Sequence, residues 1–317
     1  MKDQFEREID YLRISVTDLC NYRCMYCMPE EGVRKLSHTE ILSLEDIFEI
    51  AKTAVELGVR KIRITGGEPL VRKGVTGLIR ELSTLRGVED LAMTTNAALL
   101  APLAKELKAA GLKRVNISLD TLDPKKFAYI TRGGNLEAAL QGIRKAAECG
   151  MDRIKINTVL IGGFNDEEIS SLVALTGKYD VELRFIELMP IGHTVPFGKE
   201  AYVSNNLVLK TVPELEPVKS PQGVAKLYQL PGAKGRVGLI SPLSSHFCND
   251  CNRIRLTADG HLKPCLHSKE EIPVRGLHGK ELKEVIQEAI FYKPARHGEL
   301  SHKNRSESSR DMNAIGG

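Results

Sequence analysis

The chain has 317 residues, enough for one large α/β barrel with an extension or for two domains. With 42% hydrophobic residues, 27% charged residues and no Trp, its composition is that of an ordinary soluble protein, and a net charge of +4 makes no case for nucleic-acid binding. No stretch approaches a membrane span, and charges at Lys2, Asp3, Glu6, Arg7 and Glu8 stand where a secretory signal needs an apolar run, so no membrane contact and a cytoplasmic location are expected.

The first strand candidate is Tyr11 to Thr17. Directly after it come Cys20, Cys24 and Cys27, spaced C-x-x-x-C-x-x-C. Three such thiolates can hold three irons of a [4Fe-4S] cluster and leave the fourth open to a reactant. Zinc is the alternative, but it needs a fourth ligand and the nearest histidine, His38, lies well outside the group; spacing alone leaves both open. Ser43-Leu44-Glu45-Asp46 predicts a capping box opening a helix that stops at Gly58. Strand candidates follow at Lys61 to Thr65, Asp90 to Thr95, Arg114 to Leu119, Arg153 to Leu160 and Val181 to Met189. Between them, Pro102 to Ala110 predicts a helix ending at Gly111, and Asn135 caps another that stops at Gly150. Cys149, near that helix end, reads as a small buried side chain.

Strands alternating with helices predict a parallel α/β fold. Each strand nevertheless has one polar face: Leu12, Ile14 and Val16 oppose Arg13, Ser15 and Thr17, and Val115, Ile117 and Leu119 oppose Asn116, Ser118 and Asp120. A parallel sheet covered on both faces would be apolar throughout. The pattern therefore predicts an incomplete (β/α)6 TIM-like barrel whose polar lumen holds ligands.

From Pro196 to Val237 periodicity is weak, with turns at Pro213, Pro217, Pro221-Gln222-Gly223 and Pro231-Gly232, which suggests a barrel over 1–195 and a smaller region over 196–317. That region holds a second triad, Cys248, Cys251 and Cys265. Since His246, His261 and His267 are near enough to complete a zinc site, spacing alone favours zinc there. Lys280 to Ile290 predicts an amphipathic helix, and the polar stretch Arg296 to Arg310 predicts a mobile segment.

The run Ser15 to Pro29, with its three cysteines and Met28-Pro29 ending, resembles the signature of the radical S-adenosylmethionine family. The resemblance implies that the open iron chelates the amino and carboxylate groups of S-adenosylmethionine and that the reduced cluster cleaves it to a 5′-deoxyadenosyl radical. Tyr26 is then expected against the adenine. Gly67, in Gly66-Gly67-Glu68-Pro69, matches the loop that binds the amino group, and Ser118 and Met189 match further contacts to that ligand.

Farther on, Gly238 to Leu243, Phe247, the second triad, Arg253-Ile254-Arg255-Leu256-Thr257, Asp259-Gly260 and Leu262 to Leu266 resemble the GTP 3′,8-cyclases of molybdenum cofactor biosynthesis. This resemblance implies a second [4Fe-4S] cluster on Cys248, Cys251 and Cys265, with its open iron at the guanine. Arg13, Arg63, Thr94, Lys155, Arg253 and Arg255 match GTP-contacting positions, and Arg184, a cation on the sixth strand, joins them because GTP carries about four negative charges. The terminal Gly316 and Gly317 resemble a double-glycine tail that reaches the active site and is needed for catalysis. A homodimer, an electron donor and transfer of product to the next pathway enzyme, cyclic pyranopterin monophosphate synthase, are also implied. With no Gly-Lys-Ser phosphate loop, a phosphoryl-transfer GTPase is excluded. One departure is Ala97, after Thr94-Thr95-Asn96, where the family commonly has Gly.

Overall fold

The computed structural model describes residues 1–34, 36–37, 39–192, 197–219 and 223–316. His38, Pro196, Pro221, Gln222 and Gly317 lie outside the described residues. The first part of the chain alternates as the sequence predicts: β1 (Tyr11–Ser15), α1 (Leu44–Glu56), β2 (Lys61–Thr65), α2 (Val75–Thr84), β3 (Asp90–Thr95), α3 (Leu100–Ala109), β4 (Arg114–Ser118), α4 (Pro124–Thr131), α5 (Leu136–Glu148), β5 (Ile154–Leu160), α6 (Ile169–Lys178) and β6 (Val181–Glu187). The remainder adds α7 (Asn206–Thr211), β7 (Glu216–Pro217), β8 (Lys226–Gln229), β9 (Arg236–Ile240), β10 (Arg253–Leu256), β11 (His261–Lys263), β12 (Ile272–Pro273), α8 (Gly279–Phe291) and α9 (Met312–Ile315).

Local chemistry accounts for the helix ends. Ser43 Oγ accepts from the Asp46 amide while the Asp46 carboxylate accepts from the Ser43 amide, completing the capping box of α1. Asn135 caps α5 by accepting from the Ala138 amide. Cys149 is the C-cap residue of α5, half-buried against the core and not enclosed as its residue type suggests.

All strands join one sheet in the order β12-β11-β10-β1-β2-β3-β4-β5-β6-β9-β8-β7. β1 to β6 are parallel neighbours in chain order; β10 pairs parallel with β1, and β9 parallel with β6. Residues after 196 thus extend both edges of the sheet that the first part builds. Within 196–237 the described strands before β9 are β7, of two residues, and β8, of four, too short for alternation to stand out in the sequence, which is why that stretch reads as weakly periodic.

Register aligns the apolar face. Leu12 lies beside Ile62 and Ile254, Ile62 beside Leu91, Ile14 beside Ile64 and Leu256, and Met93 beside Val115. All are buried, against helix residues such as Ile47, Ile50, Leu78 and Ile79 in one core. Each such side chain contributes roughly 1.5–3 kcal/mol on burial. The opposite face is polar, and residues from β10, β1, β2, β3, β4, β5, β6 and β9 line a single cavity of about 320 Å³. A flat sheet could not bring β10 and β9, with six strands between them, to one cavity, so the sheet is curled into the expected partial barrel.

Candidate active site

The first cysteine triad sits on the loop leaving β1, and the loop leaving β2 is pressed against it. The amide of Gly67 donates to Thr17 O (2.8 Å) and that of Glu68 to Leu19 O (2.8 Å). A Cβ at Gly66, whose φ is +142°, would stand 2.3 Å from Thr17 O, and one at Gly67 2.4 Å from Leu19 O. The glycine pair is therefore required by backbone approach before any ligand is considered. Glu68 is fully buried and accepts from the amides of Leu70 (3.0 Å) and Asn96 (2.7 Å) and from Thr95 Oγ1 (2.8 Å), tying this loop to the end of β3. Burial raises its carboxyl pKa to about 7. Asn96 Nδ2 in turn donates to Asn21 Oδ1 (2.8 Å) and approaches Cys20 Sγ (3.7 Å).

Desolvation pushes the Cys20 thiol up to about 11 and raises Cys24 and Cys27, whose neighbouring thiols add to the effect. Three thiols that open together onto one cavity form a donor set suited to an iron–sulfur cluster, whose iron would stabilise the thiolates that burial disfavours. Tyr26 lines the same cavity, its hydroxyl donating to Asp120 Oδ2 (2.5 Å). Asp120 also accepts from the Val159 amide (2.8 Å), and burial lifts its pKa to about 6.

Farther along the lumen, Arg255, Arg13 and Arg63 are register partners on three adjacent strands. All three are buried, which lowers the pKa of Arg63 and Arg255 to about 10 and that of Arg13 well below its ordinary value. The Tyr11 ring lies between two guanidiniums, Arg63 at 5.3 Å and Arg253 at 5.7 Å. Arg63 Nε, Arg253 Nε, Thr94 Oγ1 and Asn157 Oδ1 are buried without a hydrogen-bond partner. Buried donors and concentrated positive charge left unmet within the protein call for a polar, anionic ligand. Elsewhere the lumen balances itself: Asp90 takes a bidentate contact from Arg114, and Glu182 accepts from Arg184 Nε (2.6 Å) and pairs with Lys155 (3.3 Å).

Cys248, Cys251 and Cys265 line this same cavity, so both triads face one space. Burial works against the Cys251 thiolate, but Lys293, Arg253 and Arg255 lower its pKa below the ordinary thiol value. Of the histidines near this triad, His267 lines the cavity and His246 stacks edge-on against His297 at 5.0 Å. His261 points instead to Asp259, 3.3 Å away.

Arg13, Arg63, Arg184, Arg253, Arg255, Thr94, Gly67, Ser118 and Met189 all line the cavity, whereas Lys155 does not. The tail enters it as well. Met312 and Asn313 are lining residues, and Gly316 O accepts from the Arg255 guanidinium (2.6 Å). The stretch read as mobile is held: Arg310 pairs with Asp259 and Glu271, and the Ser306 amide donates to Pro190 O (2.9 Å). Tyr11, Asn96, Asp120, Asn157 and Lys293 also belong to the site, although neither motif nor resemblance singles them out. Asn96 and Asp120 directly follow quoted strand ends and could have been found there. Lys293 could not, because a lysine after an amphipathic helix looks solvated, yet it is buried with its ammonium donating to Pro264 O.

Residues 14–176 match the Radical SAM superfamily profile and residues 181–299 the Molybdenum Cofactor Synthesis C profile. Among solved structures, SuiB of Streptococcus suis superposes with a TM-score of 0.65 at 17% identity, covering 91% of this chain and 67% of that one. Methylornithine synthase (PylB) gives 0.52 at 15% identity over 66% of this chain and 63% of its own; at such identities the likeness is one of fold. Fold and site together define a radical S-adenosylmethionine enzyme, a class built on S-adenosylmethionine and a [4Fe-4S] cluster. The GTP 3′,8-cyclase of Peptoclostridium acidaminophilum is 54% identical over 99% of this chain and 98% of its own, and that of Alkaliphilus oremlandii (strain OhILAs) 50% identical over the full length of both. The chain belongs to the GTP 3′,8-cyclase family.

Proposed function

We infer that the chain cyclises GTP to (8S)-3′,8-cyclo-7,8-dihydroguanosine 5′-triphosphate, the first step of molybdenum cofactor biosynthesis. The observation that carries this is one cavity lined by two cysteine triads and by buried arginines with unmet donors. Cys20, Cys24 and Cys27 would hold a [4Fe-4S] cluster that, reduced, would supply the electron for reductive cleavage of S-adenosylmethionine, and the hydrogen removed from GTP is the one on C3′. C3′ bonds to C8, and one further electron and a proton complete the dihydropurine. The protein's part is placement and exclusion of water. Tyr26, Gly67, Ser118 and Met189 hold S-adenosylmethionine; Arg13, Arg63, Thr94, Arg184, Arg253 and Arg255 hold the triphosphate end and ribose of GTP. Lys155 acts from behind Glu182, setting how much of the Arg184 charge is left for the ligand.

Cys248, Cys251 and Cys265 would hold a second [4Fe-4S] cluster that would serve to bind the guanine, a reading supported by the cationic surroundings of Cys251. Gly316 and Gly317 are needed for catalysis, as the family's double-glycine tail implies. The segments 1–195 and 196–317, which share one sheet, then divide the work, the first generating the radical and the second holding the purine. A homodimer, an external electron donor, a cytoplasmic location and delivery to cyclic pyranopterin monophosphate synthase complete the picture.

The test is anaerobic incubation of the reconstituted, reduced protein with S-adenosylmethionine and GTP deuterated at C3′. Deuterium in the 5′-deoxyadenosine is expected; unlabelled 5′-deoxyadenosine would exclude abstraction from C3′. Serine at Cys248, Cys251 or Cys265 is expected to abolish cyclisation while uncoupled cleavage of S-adenosylmethionine continues. Full cyclisation by such a variant would remove the second cluster from the mechanism.

A further inference from the structure

Arg310 lies six positions before Gly316, in a stretch whose composition marks it as solvated chain. Its guanidinium instead spans two carboxylates. Nε donates to Glu271 Oε1 (2.7 Å), one terminal nitrogen to Glu271 Oε2 (2.6 Å) and Asp259 Oδ2 (2.8 Å), and the other to Asp259 Oδ1 (3.0 Å). Both acceptors are oriented beforehand. Thr257 Oγ1 donates to Asp259 Oδ1 (2.6 Å), and the fully buried Lys263 donates to Glu271 Oε1 (3.0 Å). An isolated surface ion pair is worth little, but a two-sided bidentate contact to fixed acceptors holds a chain in one geometry.

The position of those acceptors gives the contact its meaning. Asp259 is in the turn between β10 and β11, and Glu271 directly precedes β12. The same hairpin carries Arg255, which holds Gly316 O, and leads into Cys265. One structural unit therefore grips the tail at two points, at Arg310 and at Gly316, the second through the lumen-lining Arg255. Between them, Asn313 Nδ2 donates to Asp18 O (2.9 Å), on the loop that precedes the first triad. Gly316 leaves no slack: its φ is +77°, and a Cβ there would stand 2.0 Å from Thr65 Oγ1. A tail that must deliver a glycine to such a spot depends on where its outer end is fixed.

We propose that Arg310 is a positioning residue that sets the register in which the tail brings Gly316 onto Arg255, so that its loss uncouples radical generation from cyclisation of GTP. This rests on the tail serving the active site, as proposed above. The experiment compares Arg310→Ala, Arg310→Lys, the pair Asp259→Asn with Glu271→Gln, and Gly316→Ala as reference, all as reconstituted holoenzyme under anaerobic conditions. Three quantities are read: cyclised product per 5′-deoxyadenosine, iron and sulfide content, and amide hydrogen exchange over 311–316.

Arg310→Ala is expected to lower the coupling ratio about ten-fold with cluster content unchanged and tail exchange accelerated. Arg310→Lys should fall between, since an ammonium cannot bridge both carboxylates in bidentate fashion. The carboxylate pair should reproduce Arg310→Ala and add nothing to it when combined. If Gly316→Ala loses product while Arg310→Ala or the carboxylate pair keeps wild-type coupling, the clasp is wrong and the role of the tail stands. Should Gly316→Ala itself retain full coupling, the tail has no such role and the clasp falls with it. Loss of iron in both clasp variants would also overturn the proposal, by assigning Arg310 to cluster assembly.

Discussion

Ala97 adopts φ +64° and is completely buried. The cost of a left-handed alanine, on the order of 1 kcal/mol, explains why glycine suits the position. The methyl group offsets part of that cost, because it packs in the core. Ala97→Gly should therefore change stability by less than about 1 kcal/mol, the relieved strain being balanced by lost burial and added chain entropy; a urea titration decides it. Lys155 offers a pH signature. Burial and the nearby Arg184 outweigh Glu182 and lower its pKa to about 7. The unfolded chain keeps this lysine protonated to about 10.4, so above pH 7 the unfolded state binds the extra proton and the site's contribution to stability rises with pH. Wild-type protein should gain on Lys155→Met between pH 7 and 9, by at most about 1.4 kcal/mol per pH unit, measured as the difference in urea midpoints.

Among the elements, α1 shows how far local chemistry reaches. Its capping box is complete, and Ser43→Ala should cost about 1 kcal/mol by thermal unfolding. Caps, glycine stops and the alternating faces of β1 to β6 were legible because each is decided within a few residues. β9 and β10 were not, since what makes them barrel strands is an edge supplied more than 50 residues away for β9 and more than 200 for β10. The same distinction runs through the site. The cysteine triads and the arginines of the polar faces could be read from spacing and resemblance. The burial of Lys293 near Cys251 and the exclusion of Lys155 from the lining depend on packing between distant segments.

At the scale of the whole molecule, the lumen is an electrostatic device. Asp90 and Glu182 neutralise part of the positive charge, while Arg13, Arg63 and Arg255 are stacked in register. Arg63→Ala should weaken GTP binding at least about ten-fold and flatten its dependence on salt, measured by equilibrium dialysis in the presence of S-adenosylmethionine. An unchanged affinity would place the triphosphate elsewhere.

The strand order also governs how the protein is made. β1 to β6 leave the ribosome first, yet both of their edges wait for partners: β6 for β9, and β1 for β10, some 240 residues later in synthesis. Until then a nascent parallel sheet presents unpaired backbone on two sides, a state prone to joining another chain. Translation arrested between residues 196 and 235 should yield aggregated product, and the completed chain should depend on holdase chaperones during the interval in which its first strand waits for its last parallel neighbour.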